Sequence, residues 1–170
     1  MSDSTSGKLQ YDNEFWQFSL AVYAENGVAD ECLTLQQQTG LDINVLLFCA
    51  WIGVRGGILS SADIEAAMRN VAHWHDRVVR PLRSVRQEIK KLGQSELESF
   101  RERIKSIELE AEQIEQALLF DFSRSLQSGK ANAQDAVPQN VKKYLARKPG
   151  SNGAQFSAPL LVDAALRLRS

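Results

Sequence analysis

Glu108, Glu112 and Glu115 recur at i, i+4, i+7, the spacing that lines side chains along one face of an α-helix. Carboxylates placed this way can hold a cation or divide acid and base work between them. They can equally answer a basic partner, and the chain supplies one. Residues 77–91 carry Arg77, Arg80, Arg83, Arg86, Lys90 and Lys91 against a single Glu88. Part of that run forms a strip fit for an anion or nucleic acid. No aromatic residues interleave it, and the acid-rich stretch after it neutralises it, so nucleic acid is not expected as a partner.

Other residue types point away from chemistry. His73 and His75 stand two apart, and on a helix those positions face different ways, whereas shared ligation needs i, i+3 or i+4. No metal set is expected. Cys32 and Cys49 sit among apolar neighbours and read as buried free thiols. Cys49 beside Trp51 has no charged neighbour that would favour a thiolate. Gly56-Gly57 lacks both the strand and the Gly-Lys-Ser/Thr element of a phosphate loop. No catalytic residues and no cofactor are indicated. The aromatic residues Trp16, Tyr23, Phe48, Trp51 and Trp74, with Phe15 and Phe18, either fill a core or line an apolar pocket.

The elements that must position these groups are legible from spacing. From Val45 to Val54 ten residues pass without a charge, and the stretch is apolar on every side. A helix apolar all round is buried. This one is too short for a membrane, which takes about 20 apolar residues, so it is read as a central core helix capped by Asp42. Asp12 or Asn13 can cap an earlier helix reaching Asn26, and a short one spans about 29–38. Ser60 and Asp63 form a capping pair. Beyond them Ile64, Ala67, Val71, Trp74, Val78, Leu82, Val85, Ile89 and Leu92 trace one helical face. Pro81 interrupts that run without changing its phase, which predicts one helix over about 62–92, bent near Arg77–Pro81. Ser95 with Glu98 is a capping box opening a last long helix to about Leu126. The two long helices, joined at Gly93-Gln94, make an antiparallel hairpin that brings Arg77 and Arg80 near Glu108 and Glu110.

The totals fit one domain: 170 residues, 44% hydrophobic, 24% charged, net charge −1. Charge is uneven, with +5 over residues 130–170 and −6 over the remainder. The expected organisation is a disordered leader over 1–11, a helical domain over 12–128, and a basic, mostly flexible tail over 129–170. A terminal amphipathic helix can start at Pro159. Residues 1–10 hold no apolar signal core and no stretch reaches spanning length, which makes a cytoplasmic location the expectation.

Several words of the sequence stand together in order: Phe15-Trp16-Gln17-Phe18-Ser19-Leu20 with Tyr23; Cys32-Leu33-x-Leu35-Gln36; Asp42-Ile43-Asn44-Val45-Leu46-Leu47-Phe48 with Trp51; Trp74; Val79-x-Pro81-Leu82-Arg83 with Arg86; and Glu108-Leu109-Glu110-Ala111-Glu112. Over roughly residues 13–122 the chain resembles a bacterial family catalogued only as a domain of unknown function. The resemblance implies a shared helical fold and no catalytic residues. It also singles out polar residues embedded in apolar helices: Gln36, Asp42, Asn44, Arg83, Arg86, Glu108 and Glu112. A buried charge is tolerated only when paired, so Arg83 or Arg86 is expected to reach Glu108, Glu112 or Asp42.

The expected fold is therefore an all-α bundle built on a long, kinked helical hairpin. Its expected role is a non-catalytic protein-interaction module, gripping an unknown protein partner through the hairpin or residues 157–169, or pairing with a second copy. The alternative is a small enzyme or apolar-ligand binder with a pocket near Trp16, Trp51 and Trp74.

Overall fold

Every residue from Ile43 to Gly53 is buried, and the other helices are laid around this segment. The computed structural model describes residues 8–148 and 155–168, and every regular element among them is helical. In order these are α1 (Glu14–Ala24), α2 (Val28–Thr39), α3 (Ile43–Val54) and α4 (Ser61–Trp74). A π-helical turn (His75–Val79) leads into α5 (Arg80–Leu92), and a 3-10 turn (Ser95–Leu97) into α6 (Glu98–Ser123). Then come α7 (Ala133–Leu145) and α8 (Pro159–Arg167). Most of the leader, and residues 149–154 and 169–170 of the expected tail, lie outside the described residues.

Local chemistry sets the starts. Asn13 caps α1, its side chain accepting from the Trp16 amide at 2.9 Å. Asp42 caps α3, accepting from the Asn44 amide at 2.8 Å. Ser60 and Asp63 complete a capping box on α4. Ser95 does not cap α6. Its segment forms the 3-10 turn instead, and α6 starts at Glu98 without a side-chain cap.

The long hairpin departs from the even spacing read in the sequence. Helix α4 runs into α5 with helical backbone throughout, and the π-turn lies between them. A π-turn holds one residue more than an α-turn and rotates the helix beyond it. Val79 is thereby fully buried, and α5 contains no buried residue. The stripe does not keep its phase: Val85 is 45% exposed and Leu92 61%. The same rotation resets the ion pairs. Arg80 bonds Asp76, four residues earlier, at 3.1 Å, and Arg83 with Arg86, not Arg77 with Arg80, reaches Glu108.

Within residues 129–170, where composition suggested a mostly flexible tail, α7 and α8 lie against the core. Helix α7 crosses α3 so closely that a Cβ on Gly53 would sit 2.7 Å from the Val137 Cα. Asn140 on α7 is fully buried and donates to the Gly57 carbonyl at 2.8 Å while accepting from the Leu59 amide at 2.9 Å. It thereby satisfies backbone groups freed where α3 ends. The expected amphipathic helix starts at Pro159, and its apolar face, Leu161, Ala164 and Ala165, is buried.

Gly53→Ala is expected to destabilise the protein by about 1–3 kcal/mol, because the methyl meets backbone and not a flexible side chain. Urea unfolding checks this; a wild-type midpoint would show that α7 does not press on α3.

Candidate functional site

The start of α3 and the middle of α6 carry most of the polar residues that the bundle buries. Asn44 on α3 donates from Nδ2 to Glu115 Oε2 at 2.7 Å and accepts at Oδ1 from Gln116 Nε2 at 2.8 Å. Glu115 is fully buried and Gln116 2% exposed. The second Glu115 oxygen faces His75 Nδ1 at 3.0 Å, and the same nitrogen lies 3.1 Å from Asp42 Oδ2. Asp42 is itself held through its backbone, which donates to and accepts from the Tyr144 hydroxyl at 3.0 and 2.9 Å. Residues from the head of α3, the π-turn, α6 and α7 thus meet at one point.

Burial, then the Glu115 carboxylate beside it, holds the Asp42 carboxyl well above its usual range. Burial alone would lower the His75 pKa, but the hydrogen bond to Glu115 and the charge of Asp42 outweigh it and raise it.

One helical turn toward the hairpin tip lies a second polar layer. Arg83 donates from Nε to Glu108 at 3.1 Å and from Nη2 to Glu112 at 2.7 Å. Arg86 donates to both Glu108 oxygens. Glu108 is 5% exposed and so accepts from two guanidinium groups almost out of water. Burial raises the Glu112 pKa against the opposing pull of Arg83.

These layers floor a groove of about 360 Å³ between α1–α2 on one side and α5–α6 on the other. Trp16, Leu20, Tyr23, Leu33 and Leu109 form its apolar walls; Asn44, Gln116 and Ser19 add polar atoms. Of the aromatic residues grouped from sequence, only Trp16 and Tyr23 line it. Phe48 and Trp51 pack with Phe15 in the core, with ring centroids 5.6 and 5.2 Å from the Phe15 ring. Trp74 points to α6 and donates to the Ala111 carbonyl at 2.8 Å. Asp42, Asn44, Arg83, Arg86, Glu108 and Glu112 all border the groove.

Gln116 escapes the sequence reading, Ser19 enters it only within a motif, and His75 is weighed with His73 and set aside. Glu115 carried a signal as the third member of the i, i+4, i+7 set. His75 carried none, since its partners Asp42 and Glu115 are remote in the chain and lie on other elements.

The architecture is that of an all-helical domain with a polar seam between its core helix and a kinked hairpin. The model of the family described as "Protein of unknown function (DUF2390)" matches residues 14–119, well over half the chain, and the chain belongs to that family. No curated protein and no solved structure matches it. Among the described residues no helix is long and apolar enough to cross a membrane.

Removing Glu108 strands the half-buried Arg86 guanidinium and leaves Arg83 with Glu112 alone. Glu108→Ala is expected to cost about 3 kcal/mol, whereas Glu110→Ala, exposed two residues on, is expected to stay within about 0.5 kcal/mol of wild type. Chemical denaturation of the two variants side by side measures the contrast.

Proposed function

We propose that this chain is a small-molecule binding protein whose groove takes an organic compound with an apolar body and a hydrogen-bonding head. One observation carries the reading. Ser19 Oγ and Gln116 Oε1 are buried without a hydrogen-bond partner, and both residues line the groove. An unsatisfied buried polar group costs about 1–3 kcal/mol, a cost that a bound head group removes. Gln116 Oε1 accepts, so the complementary head carries a donor such as a hydroxyl, amide or amine. Trp16, Leu20 and Leu109 suit the apolar body. Arg83, Arg86 and Glu108 are engaged with one another, which supports binding over catalysis at this groove.

The three indole N–H signals of Trp16, Trp51 and Trp74 separate the outcomes in an NMR screen of small amphipathic compounds. A true ligand shifts Trp16 and leaves the core residue Trp51 unmoved. Ser19→Ala is expected to keep or raise stability while weakening that ligand. A library that never perturbs Trp16, or a Ser19→Ala chain that binds as wild type does, counts against the groove.

A second reading, a protein partner or a second copy on the hairpin, is favoured by the exposed Val85, Leu92, Phe100 and Ile107 near its tip. It does not need residues 157–169 as an arm, because α8 spends its apolar face inside the chain. Light scattering is expected to show an assembly that Leu92→Asp with Phe100→Asp dissolves; a monomer at every concentration removes the self-association form.

A further inference from the structure

Asp42, His75 and Glu115 present three donor atoms to one another: Nδ1 of the imidazole at 3.1 Å from Asp42 Oδ2 and 3.0 Å from Glu115 Oε1. All three donors lie within 4.8 Å of one another. The remaining oxygen of each carboxylate is already tied down. Asp42 Oδ1 accepts from the Asn44 amide, and Glu115 Oε2 accepts from the Asn44 side chain. The three free donor atoms converge on a single locus.

Hydrogen bonding alone fits that locus poorly. A neutral imidazole carries one proton, on one nitrogen, and Nδ1 faces two carboxylate oxygens at once. A charged imidazole offsets only one carboxylate, so the second must hold a proton or meet a further cation, with side-chain exposures of 12% for His75, 12% for Asp42 and 0% for Glu115. Buried charge of one sign needs a counter-charge.

We propose that Asp42, His75 and Glu115 bind a divalent transition-metal ion. One imidazole and two carboxylates are a donor set suited to Zn²⁺ or Mn²⁺ more than to Ca²⁺ or Mg²⁺, which take all-oxygen shells. The fold supplies the orienting contacts that such sites use. Asn44 holds both carboxylates, and the Tyr144 hydroxyl clamps the Asp42 backbone. His75 opens the π-turn, a local widening of a helix that is common at functional sites. A further observation shows a way in: Asp42 and His75 together line a second cleft, of about 380 Å³, whose walls include Met68 and Val71 of α4, Tyr144 of α7 and the basic residues Arg69, Arg80, Arg147 and Lys148. Three protein donors leave coordination positions for water or a further ligand, as in metal sites that do chemistry. The site shares Asp42 with the groove, takes His75 and Glu115 from outside the groove's lining, and does not depend on the groove ligand.

The full-length chain, stripped with a chelator and desalted, is titrated separately with ZnCl₂ and MnCl₂. Calorimetry measures binding, and elemental analysis after gel filtration counts the metal retained. One equivalent of metal is expected, with Zn²⁺ held more tightly than Mn²⁺. Two-dimensional NMR of the imidazole nitrogens is expected to show Zn²⁺ shifting His75 Nδ1 and sparing His73. Asn44→Ala is expected to weaken Zn²⁺ by roughly 10–100-fold, and His75→Gln to abolish the stoichiometric site, with circular dichroism checking that each variant is folded. A folded wild-type chain that retains neither metal overturns the proposal, and so does a metal whose affinity His75→Gln leaves unchanged.

Discussion

A carboxylate with no exposure to water, Glu115, constrains the rest of the molecule. Transfer of a bare charge into a protein interior costs several kcal/mol even after relaxation, so the position can exist only where partners surround it. Asn44 comes from the first turn of α3 and His75 from the π-turn, and Gln116, next to Glu115 on α6, holds Asn44 in turn. Apolar packing would let α3 slide or rotate against α6 at little cost. The hydrogen bonds that Asn44 donates to Glu115 and accepts from Gln116 do not, because a shift of one residue leaves buried polar atoms unmatched. The polar seam therefore sets the register that the hydrophobic core leaves loose.

The π-turn is the mechanical counterpart of that seam. Pro81 cannot donate a backbone hydrogen bond, and a continuous α-helix would leave a carbonyl of the preceding turn without its partner. The wider turn just before the proline accommodates this and rotates α5. That rotation has two effects. Val79 enters the core, and Arg83 with Arg86 faces Glu108 and Glu112 in place of the arginines before them. The distal hairpin is then held chiefly by ion pairs and half-buried Leu82 and Ile89, while α5 adds no residue to the core.

How much of this the sequence displayed depends on the range of each interaction. The all-apolar run over α3, the caps at Asn13, Asp42 and Ser60, and the hairpin turn at Gly93 are local, and they read directly from composition and spacing. The pairing of Arg83 and Arg86 with Glu108 and Glu112 was legible because a short turn forces the two helices antiparallel. Its register was not, since one residue inserted by the π-turn shifts every later side chain by about 100°. The place of α7 was hidden for a different reason. Its buried face includes Ala133, Ala136, Val137 and Val141, small residues whose signal is diluted by Lys142, Lys143 and Gln139 in the same helix. Small residues signal little on their own, yet they are what allows the backbone to approach Gly53.

His75 marks the limit of spacing arguments. Pattern matching tests ligands that share a helix, and by that test His73 and His75 fail. The convergence seen here joins three separate segments, with each donor supplied singly by its own element. A donor set of that kind leaves no periodic trace. It shows instead as polar residues in places where the surrounding pattern calls for apolar ones: Asp42 and Asn44 at the head of the most hydrophobic helix, and Glu115 and Gln116 inside the buried stretch Glu115–Ala117 of α6. A core built for packing alone would place leucine or alanine at Asn44, Glu115 and Gln116. Polar groups held in a buried seam at such a cost fix the register of this bundle and supply the three donors of the metal site proposed above.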